Sequence, residues 1–196
     1  RVRRHPLDEG DPVKVAVCDY RAGNIRSVEI ALRRLGAELT DDVAGADLAV
    51  LPGVGAARSA MAELHAQGLD AVLRERLALD RPVLGICLGL QLAVEWSEED
   101  GGVDGLALLP GKAVRVRAER VPRIGWAEVD GTAYYFAHSY SVETPCATAW
   151  SDGLVAEARH GAFLGVQFHP EKSGGAGARY LDGVLREVRE KSLSRA

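Results

Sequence analysis

The pentapeptide Gly85-Ile86-Cys87-Leu88-Gly89 stands where an apolar, strand-like run (residues 82–86) gives way to a helix-like segment (residues 88–96). A nucleophile flanked in this way by glycines is typical of a nucleophile elbow, here with cysteine in place of serine. The glycines allow a sharp turn, and the N-terminus of the following helix favours a thiolate. The N–H of Leu88 would face a developing oxyanion. The same glycines would also suit close helix packing around a buried thiol, so the pentapeptide alone leaves both interpretations open.

Strand-like and helix-like segments alternate around this junction. Residues 13–20 and 46–51 are apolar and β-rich, and each leads into a stretch with helical spacing. From residue 112 onward the strand-like runs are shorter, and the last of them, residues 161–168, precedes a closing amphipathic helix. The alternation predicts an α/β fold with an open, mostly parallel central sheet flanked by helices and an added antiparallel portion.

Length and composition restrict the classes of protein that this chain can represent. The 196 residues carry 24 basic and 28 acidic side chains, without the excess of positive charge that is typical of nucleic-acid binding. No apolar run approaches the roughly 18–20 residues of a membrane-spanning helix. We expect a mobile tail over residues 1–12, one domain over residues 13–196, a cytoplasmic location, and neither nucleic acid nor membrane as a partner.

The three cysteines, Cys18, Cys87 and Cys146, are odd in number and far apart in sequence. Such a set forms neither a disulfide framework nor a zinc knuckle. Cys18 and Cys146 lie in apolar stretches and are predicted to be buried structural thiols. No metal site is predicted.

A cysteine nucleophile needs a base, and the base needs a group that orients it. His169 follows the apolar run of residues 161–168, and Glu171 lies two residues further on. In an extended segment these two side chains point to the same side, so Glu171 can hold the imidazole, with Pro170 stiffening the pair. Three other histidines, His5, His65 and His160, are expected at the surface. His138 lies at the end of a predicted strand and is expected to bond the backbone.

The turn Pro52-Gly53-Val54-Gly55 also follows a predicted strand. Its glycines allow a peptide N–H to turn into a site as a second oxyanion donor, although a plain tight turn fits the same residues. The carboxyl ends of parallel strands share one edge of a sheet. We therefore expect this turn, Cys87 and His169 to meet there.

The sequence resembles the triad-type, or class I, glutamine amidotransferases in its segments GICLGLQL (residues 85–92) and FHPEKS (residues 168–173). More narrowly, CDYRAGNIRSVEIAL, LPGVGA, VPRIGWAEV, YYFAHSY and GVQFHPEKS resemble the glutaminase subunits of imidazole glycerol phosphate synthase. The resemblance implies a flavodoxin-like fold, hydrolysis of glutamine without a cofactor, and delivery of ammonia to a separate (β/α)8 barrel cyclase in a heterodimer of histidine biosynthesis. Because hydrolysis without a partner would waste glutamine, we also expect the turn of residues 52–55 to become competent only when the loaded partner docks.

The resemblance assigns roles to individual residues. It makes Cys87 the nucleophile, His169 the base and Glu171 its partner. The remaining positions are those for the oxyanion region (Gly53, Val54, Gly55 and Leu88), for holding glutamine (Gln91, Ser139 and Tyr140) and for facing the cyclase (Tyr135, Trp126 and Lys172). Two positions depart from the family pattern: Arg21, where glycine is usual, and Ala127, where asparagine is usual.

Three alternatives remain open at this point. The chain could be a glutaminase for another synthase, such as one making pyridoxal phosphate, purines or anthranilate. It could be a cysteine peptidase or γ-glutamyl hydrolase, which would share the elbow and the histidine. It could also be a metal or redox sensor that uses Cys87, His169 and Glu171 as ligands.

Overall fold

A computed structural model of the chain describes residues 11–21 and 24–194, so most of the expected tail lies outside the described residues. The helices are α1 (Ile25–Arg34), α2 (Ala57–Ala66), α3 (Leu69–Ala78), α4 (Leu88–Ala93) and α5 (Gly174–Leu193). The strands are β1 (Lys14–Val17), β2 (Glu38–Leu39), β3 (Leu48–Leu51), β4 (Val83–Ile86), β5 (Trp96–Ser97), β6 (Val103–Asp104), β7 (Lys112–Arg115), β8 (Arg123–Val129), β9 (Thr132–His138), β10 (Tyr140–Glu143), β11 (Ala147–Ser151), β12 (Leu154–His160) and β13 (Phe163–Val166).

The central sheet has seven strands in the order β11-β12-β13-β4-β3-β1-β2. The five strands from β13 to β2 are parallel, whereas β12 and β11 continue the sheet in antiparallel fashion. The order β2-β1-β3-β4-β13 is that of the flavodoxin-like doubly wound sheet. The predicted open, mostly parallel sheet with an antiparallel portion is therefore confirmed.

Helices cover the two faces of this sheet, as its uniformly buried central strands require. On one face, buried side chains of α1 and α5, including Leu32 and Leu181, pack against Val50 and Ile86 of the sheet. On the other, α2, α3 and α4 form a second core that includes Leu64. Among the described residues, no helix is both long and apolar enough to cross a membrane.

The helix after the elbow is shorter than the sequence indicates. It was expected to continue to residue 96, but α4 ends at Ala93 and Trp96 belongs to β5. The N–H groups of Leu106 and Leu108 bond the carbonyls of Leu92 and Ala93, which removes the acceptors that another helical turn would need. Strand β5 belongs to a second, four-stranded sheet in the order β10-β7-β5-β6. Strands β8 and β9 form a separate two-stranded ribbon.

Candidate active site

Three loops meet at the carboxyl ends of neighbouring strands, as the sequence predicts. Cys87 follows β4, the segment leading to His169 follows β13, and the turn 52–55 follows β3. These strands are adjacent in the sheet, and the Cys87 N–H donates to the carbonyl of Val166 at 2.7 Å. The parallel register therefore places the nucleophile and the base side by side.

The backbone at Cys87 has the strained geometry of a nucleophile elbow. Its φ of 53° and ψ of −106° lie in a region that side-chain-bearing residues rarely adopt. A β-carbon on Gly89 would stand 1.9 Å from the carbonyl oxygen of Leu51, and one on Gly85 would stand 2.9 Å from the ring of Phe163. Both glycines are thus required by close approach, which confirms the elbow and shows that they do more than pack a buried thiol.

His169 and Glu171 form the expected pair, but not in the expected backbone. The Nδ1 atom of His169 lies 2.9 Å from Oε1 of Glu171, and both side chains are 1% exposed. The prediction of an extended segment is wrong, because Pro170–Lys172 forms a short 3-10 helix. The fixed φ of Pro170 suits the first position of such a turn. The turn brings the carboxylate back under the imidazole of His169.

The surroundings of His169 favour its protonated form. Burial disfavours the imidazolium, but hydrogen bonding and charge from Cys87 and Glu171 outweigh burial and raise the pKa of His169 to about 9. Its Nε2 atom is buried and makes no well-aligned hydrogen bond within residues 11–21 and 24–194. That nitrogen is therefore placed to exchange a proton with the thiol or with a bound substrate.

A cavity of about 240 Å³ opens above the nucleophile. Most of the residues that the sequence places in the oxyanion and glutamine-holding region line it: Val54, Gly55, Leu88, Gln91, Ser139 and Tyr140, together with Cys87 itself. The remaining lining residues are Glu99, Pro122, Ile124, Ala137 and His138, none of which the sequence assigns to a substrate site.

Gly53 does not line this cavity, and its place in the oxyanion region stays a prediction. It lies buried against the elbow, where a β-carbon would come within 2.6 Å of Cβ of Leu88. The buried hydroxyl of Tyr20 donates to the carbonyl of Pro52 and anchors the start of the turn. Gly53 therefore allows the turn to approach the elbow, while Val54 and Gly55 face the cavity.

Two side chains converge on one backbone carbonyl at the far wall of the cavity. Nε2 of Gln91 and Nδ1 of His138 lie 2.7 and 2.8 Å from the carbonyl oxygen of Tyr140. Burial lowers the pKa of His138 to about 4, so its imidazole is neutral and donates through Nδ1. The expected backbone-bonded role of His138 is confirmed, and these bonds fix the Ser139–Tyr140 segment.

The sequence alone did not single out Glu99 or Gln167. Oε2 of Glu99 accepts from the Ala57 N–H at 3.0 Å, and burial raises the pKa of this carboxyl group. Glu99 lies in a run of acidic residues, 98–100, whose sequence is typical of a solvated turn. Gln167 is completely buried. Its one signal in the sequence is that a polar residue interrupts the apolar run of residues 161–168 two positions before His169.

The three positions implied to face a partner lie around the His169–Glu171 turn. Trp126 is 60% exposed and contacts Tyr135 edge to face, with ring centroids 6.0 Å apart. The Tyr135 carbonyl accepts from the His169 N–H at 2.8 Å, and exposed Lys172 directly follows Glu171. The structure thus groups these residues beside the site, while their contact with a partner stays a prediction.

Cys18, Cys146, His65 and His160 do not line the cavity. Cys18 is completely buried, as expected, but the prediction of a fully buried Cys146 is wrong. Cys146 directly precedes the edge strand β11 and lies 3.6 Å from Nδ1 of His160, because a sheet edge leaves one side uncovered. His65 and His160 are exposed, as expected, and His5 lies outside the described residues.

The two departures from the family pattern differ in their physical consequence. Arg21 has a φ of 58°, a left-handed conformation that glycine adopts without strain and arginine does not. This explains why glycine is usual at that position. Ala127 is partly buried in β8 opposite Tyr134, and nothing in the structure explains the loss of an asparagine there.

Comparison with known proteins agrees with this geometry. The family model for class I glutamine amidotransferases matches residues 7–187, so its match begins within the predicted tail. A solved structure of a glutamine amidotransferase has the same fold, with a TM-score of 0.71 at 20% identity over 87% of this chain and 97% of that one. The chain belongs to the class I glutamine amidotransferase family and is an enzyme of that class.

Curated relatives narrow the family further. The HisH subunit of imidazole glycerol phosphate synthase from Carboxydothermus hydrogenoformans is 42% identical over 88% of this chain and 98% of its own length. The HisH subunit from Moorella thermoacetica is 43% identical over 89% of this chain and 95% of its own length. Within the class I family, the chain therefore belongs to the HisH group.

Proposed function

We propose that this chain is the glutaminase subunit of an imidazole glycerol phosphate synthase and hydrolyses glutamine through Cys87, His169 and Glu171. The observation that carries the proposal is the thiol of Cys87 on a strained backbone turn, side by side with a buried imidazole–carboxylate pair beneath a small cavity. A glutaminase for another synthase, such as one making pyridoxal phosphate, purines or anthranilate, is less favoured, because the similar curated relatives are HisH subunits.

The proposed reaction proceeds by covalent catalysis at Cys87. The thiolate attacks the γ-carbonyl carbon of glutamine, and the N–H of Leu88 together with the turn 52–55 stabilises the oxyanion. The proton held by His169 passes to the leaving nitrogen, and the C–N bond breaks to release ammonia. Water, deprotonated by His169, then attacks the γ-glutamyl thioester and releases glutamate and the Cys87 thiolate. No metal or cofactor takes part in these steps.

The cavity fits a free amino acid better than a peptide. Its volume of about 240 Å³ is below the roughly 300–1,000 Å³ typical of pockets for drug-sized ligands. The carboxylate of Glu99 lines it and can pair with the α-ammonium group of free glutamine, a group that most peptide residues lack. The cavity therefore supports a glutaminase over a cysteine peptidase.

Ammonia released into water would be protonated and lost as a nucleophile, so the proposed reaction requires direct transfer to a second subunit. The expected partner is a (β/α)8 barrel cyclase that uses the ammonia to make imidazole glycerol phosphate and aminoimidazole carboxamide ribotide. Ile124 and Trp126 are 64% and 60% exposed on one face of β8, and Ile124 also lines the cavity. This apolar strip beside the site supports docking of a partner there.

The first test is glutamine hydrolysis by the wild-type protein, Cys87→Ala and the matched control Cys146→Ala, each assayed with the cyclase subunit. We expect glutamate formation to disappear in Cys87→Ala and to persist in Cys146→Ala, because Cys146 lies away from the cavity. Retained activity in Cys87→Ala would contradict the proposed nucleophile. A peptidase would instead cleave γ-glutamyl peptides without forming ammonia.

A further inference from the structure

Gln167 is a completely buried polar residue that contacts the nucleophile. Its Nε2 atom lies 3.6 Å from Sγ of Cys87, and its Oε1 atom lies 3.0 Å from Nε2 of Gln91. Its backbone is fixed by a hydrogen bond from its N–H to the carbonyl of Ala156 at 2.9 Å. The side chain is thus held at both ends, although the proposed steps of glutamine hydrolysis give it no role.

The orientation of both amides follows from a single backbone carbonyl. The carbonyl of Tyr140 can only accept, so the group of Gln91 that faces it must be the NH2 group. That same NH2 group faces Gln167, which must therefore present its oxygen to Gln91. The NH2 group of Gln167 is then left to face sulfur. Rotating either amide by half a turn would oppose two donors or two acceptors.

We propose that Gln167 is a positioning residue that donates a hydrogen bond to the sulfur of Cys87 and stabilises its thiolate, with Gln91 holding the amide in that orientation. This inference deepens the proposed function and rests on it, since it takes Cys87 as the nucleophile. A hydrogen bond to an ionised acceptor is stronger than one to its neutral form, so the donation favours the thiolate.

The hydrogen bonds through Gln91 and Gln167 also connect Cys87 to the segment that is expected to hold the substrate. The Tyr140 carbonyl belongs to the segment expected near the amino-acid end of glutamine, and it reaches Cys87 through Gln91 and Gln167. A shift of Tyr140 would therefore change the donor at sulfur.

Other ionisable groups around Cys87 set the background for any test. His169 and Glu171 provide the imidazole–carboxylate pair, Tyr20 lies within electrostatic reach, and Glu99 shares the cavity. These groups stay in place when Gln167 is replaced. A change in the ionisation of Cys87 can then be assigned to the lost donor.

The test is the pH dependence of alkylation of Cys87 by iodoacetamide, followed on the Cys87 peptide by mass spectrometry in the absence of glutamine. In Gln167→Leu we expect the pH of half-maximal alkylation rate to rise by about one unit, because the thiolate loses a donor. Gln167→Glu should raise it further, because a carboxylate then faces the sulfur. Gln91→Leu, which frees the amide of Gln167, should give a smaller rise.

The matched control is Tyr180→Phe, which removes another side-chain hydrogen bond, the partly buried one from Tyr180 to Glu157, away from Cys87. This variant should keep the wild-type midpoint. Wild-type midpoints in Gln167→Leu and Gln91→Leu would overturn the proposal, as would a fall in either one. If Gln167→Leu fails to fold, Gln91→Leu carries the same test. Alkylation requires no turnover, so a failure of this inference is distinguishable from a failure of the proposed glutaminase.

Discussion

The chemistry of this protein depends on a backbone conformation at one residue. Holding a side-chain-bearing residue in a rarely populated conformation costs about 1–3 kcal/mol, and Cys87 remains there because its surroundings fix it. Its N–H bonds Val166, and its carbonyl accepts from the N–H groups of Leu90 and Gln91. This backbone conformation directs the sulfur of Cys87 away from the sheet edge, toward His169 and the cavity.

A first prediction concerns the carboxylate that orients the base. Glu171 is one cause of the raised pKa of His169, which is about 9 against an ordinary value near 6.5. Replacing Glu171 by glutamine removes a charge and keeps the shape, so the pKa should fall by one unit or more and the imidazole should lose its proton at lower pH. NMR titration of the His169 ring in wild-type protein and Glu171→Gln measures this shift. An unchanged midpoint would show that Glu171 does not sustain the imidazolium.

A second prediction concerns recognition of the free amino acid. If Glu99 pairs with the α-ammonium group of glutamine, Glu99→Gln should raise KM about tenfold, equivalent to about 1.4 kcal/mol, with a smaller effect on kcat. The amide oxygen of the substituted residue at position 99 can still accept the hydrogen bond from the Ala57 N–H, so the local fold is retained. The control is the neighbouring Glu98→Gln, since Glu98 does not line this cavity. Equal KM values for the two variants would contradict the assignment.

At the scale of elements, the site is formed by three strand-to-loop transitions whose spacing the sheet sets. The elbow can exist only because α4 approaches β3 closely enough for Gly89 to touch the Leu51 carbonyl. The same approach forces a glycine at position 53 of the neighbouring turn. These two glycines therefore shape the site, although neither Gly89 nor Gly53 lines the cavity.

A third prediction tests this close approach. Gly89→Ala places a β-carbon against a backbone carbonyl that cannot yield easily, so the free energy of unfolding should fall by about 2–3 kcal/mol, with loss of activity. Gly183→Ala is the matched control, because Gly183 lies in α5 with open space around it. That change should stabilise the protein by about 1 kcal/mol. Urea unfolding measures both, and equal effects would contradict the packing argument.

Most of the elements, and the placement of Cys87 beside the pair of His169 and Glu171, could be predicted from sequence because the signals are local. Strand-like runs ending in glycine-rich turns indicate a shared sheet edge, and the elbow and the pair of His169 and Glu171 each occupy a few consecutive residues. The early end of α4 could not be predicted, because it depends on hydrogen bonds from Leu106 and Leu108. The 3-10 turn at Pro170 could not be predicted either: Pro170 suits it, but the flanking residues His169 and Ser173 are held by hydrogen bonds to the distant Tyr135 backbone. Glu99 and the role of Gln167 also depend on tertiary contacts, with partners far away in sequence.

At the scale of the whole molecule, the cavity lies next to an exposed apolar surface that a partner can cover. The cavity opens beside the β8–β9 ribbon, whose outer face carries exposed Ile124 and Trp126. Such side chains gain free energy when a partner covers them. An exposed strip next to the site that we propose to release ammonia fits the incomplete enzyme that the proposed function describes.

A fourth prediction addresses this surface. Trp126→Ala should weaken binding of the cyclase subunit at least tenfold, because a large exposed aromatic side chain beside the site is typical of an interface anchor. Trp150→Ala is the matched control, since Trp150 is also exposed, at 54%, but lies on β11. Isothermal titration calorimetry with purified cyclase gives the two Kd values. Equal losses of affinity would contradict the assignment of the ribbon as the docking face.

The central claim, that Cys87 releases ammonia for direct use by a partner, is tested by following nitrogen. The measurement is the 15N content of imidazole glycerol phosphate formed by the complex from amide-15N glutamine in the presence of excess unlabelled ammonium. The account predicts one 15N atom in every product molecule made with the wild-type chain, at the ring position that the ammonia supplies, beside an unlabelled second ring nitrogen from the other substrate. With Cys87→Ala it predicts a product that carries only unlabelled nitrogen. Dilution of the label in the wild-type complex, or labelled product from Cys87→Ala, would contradict it.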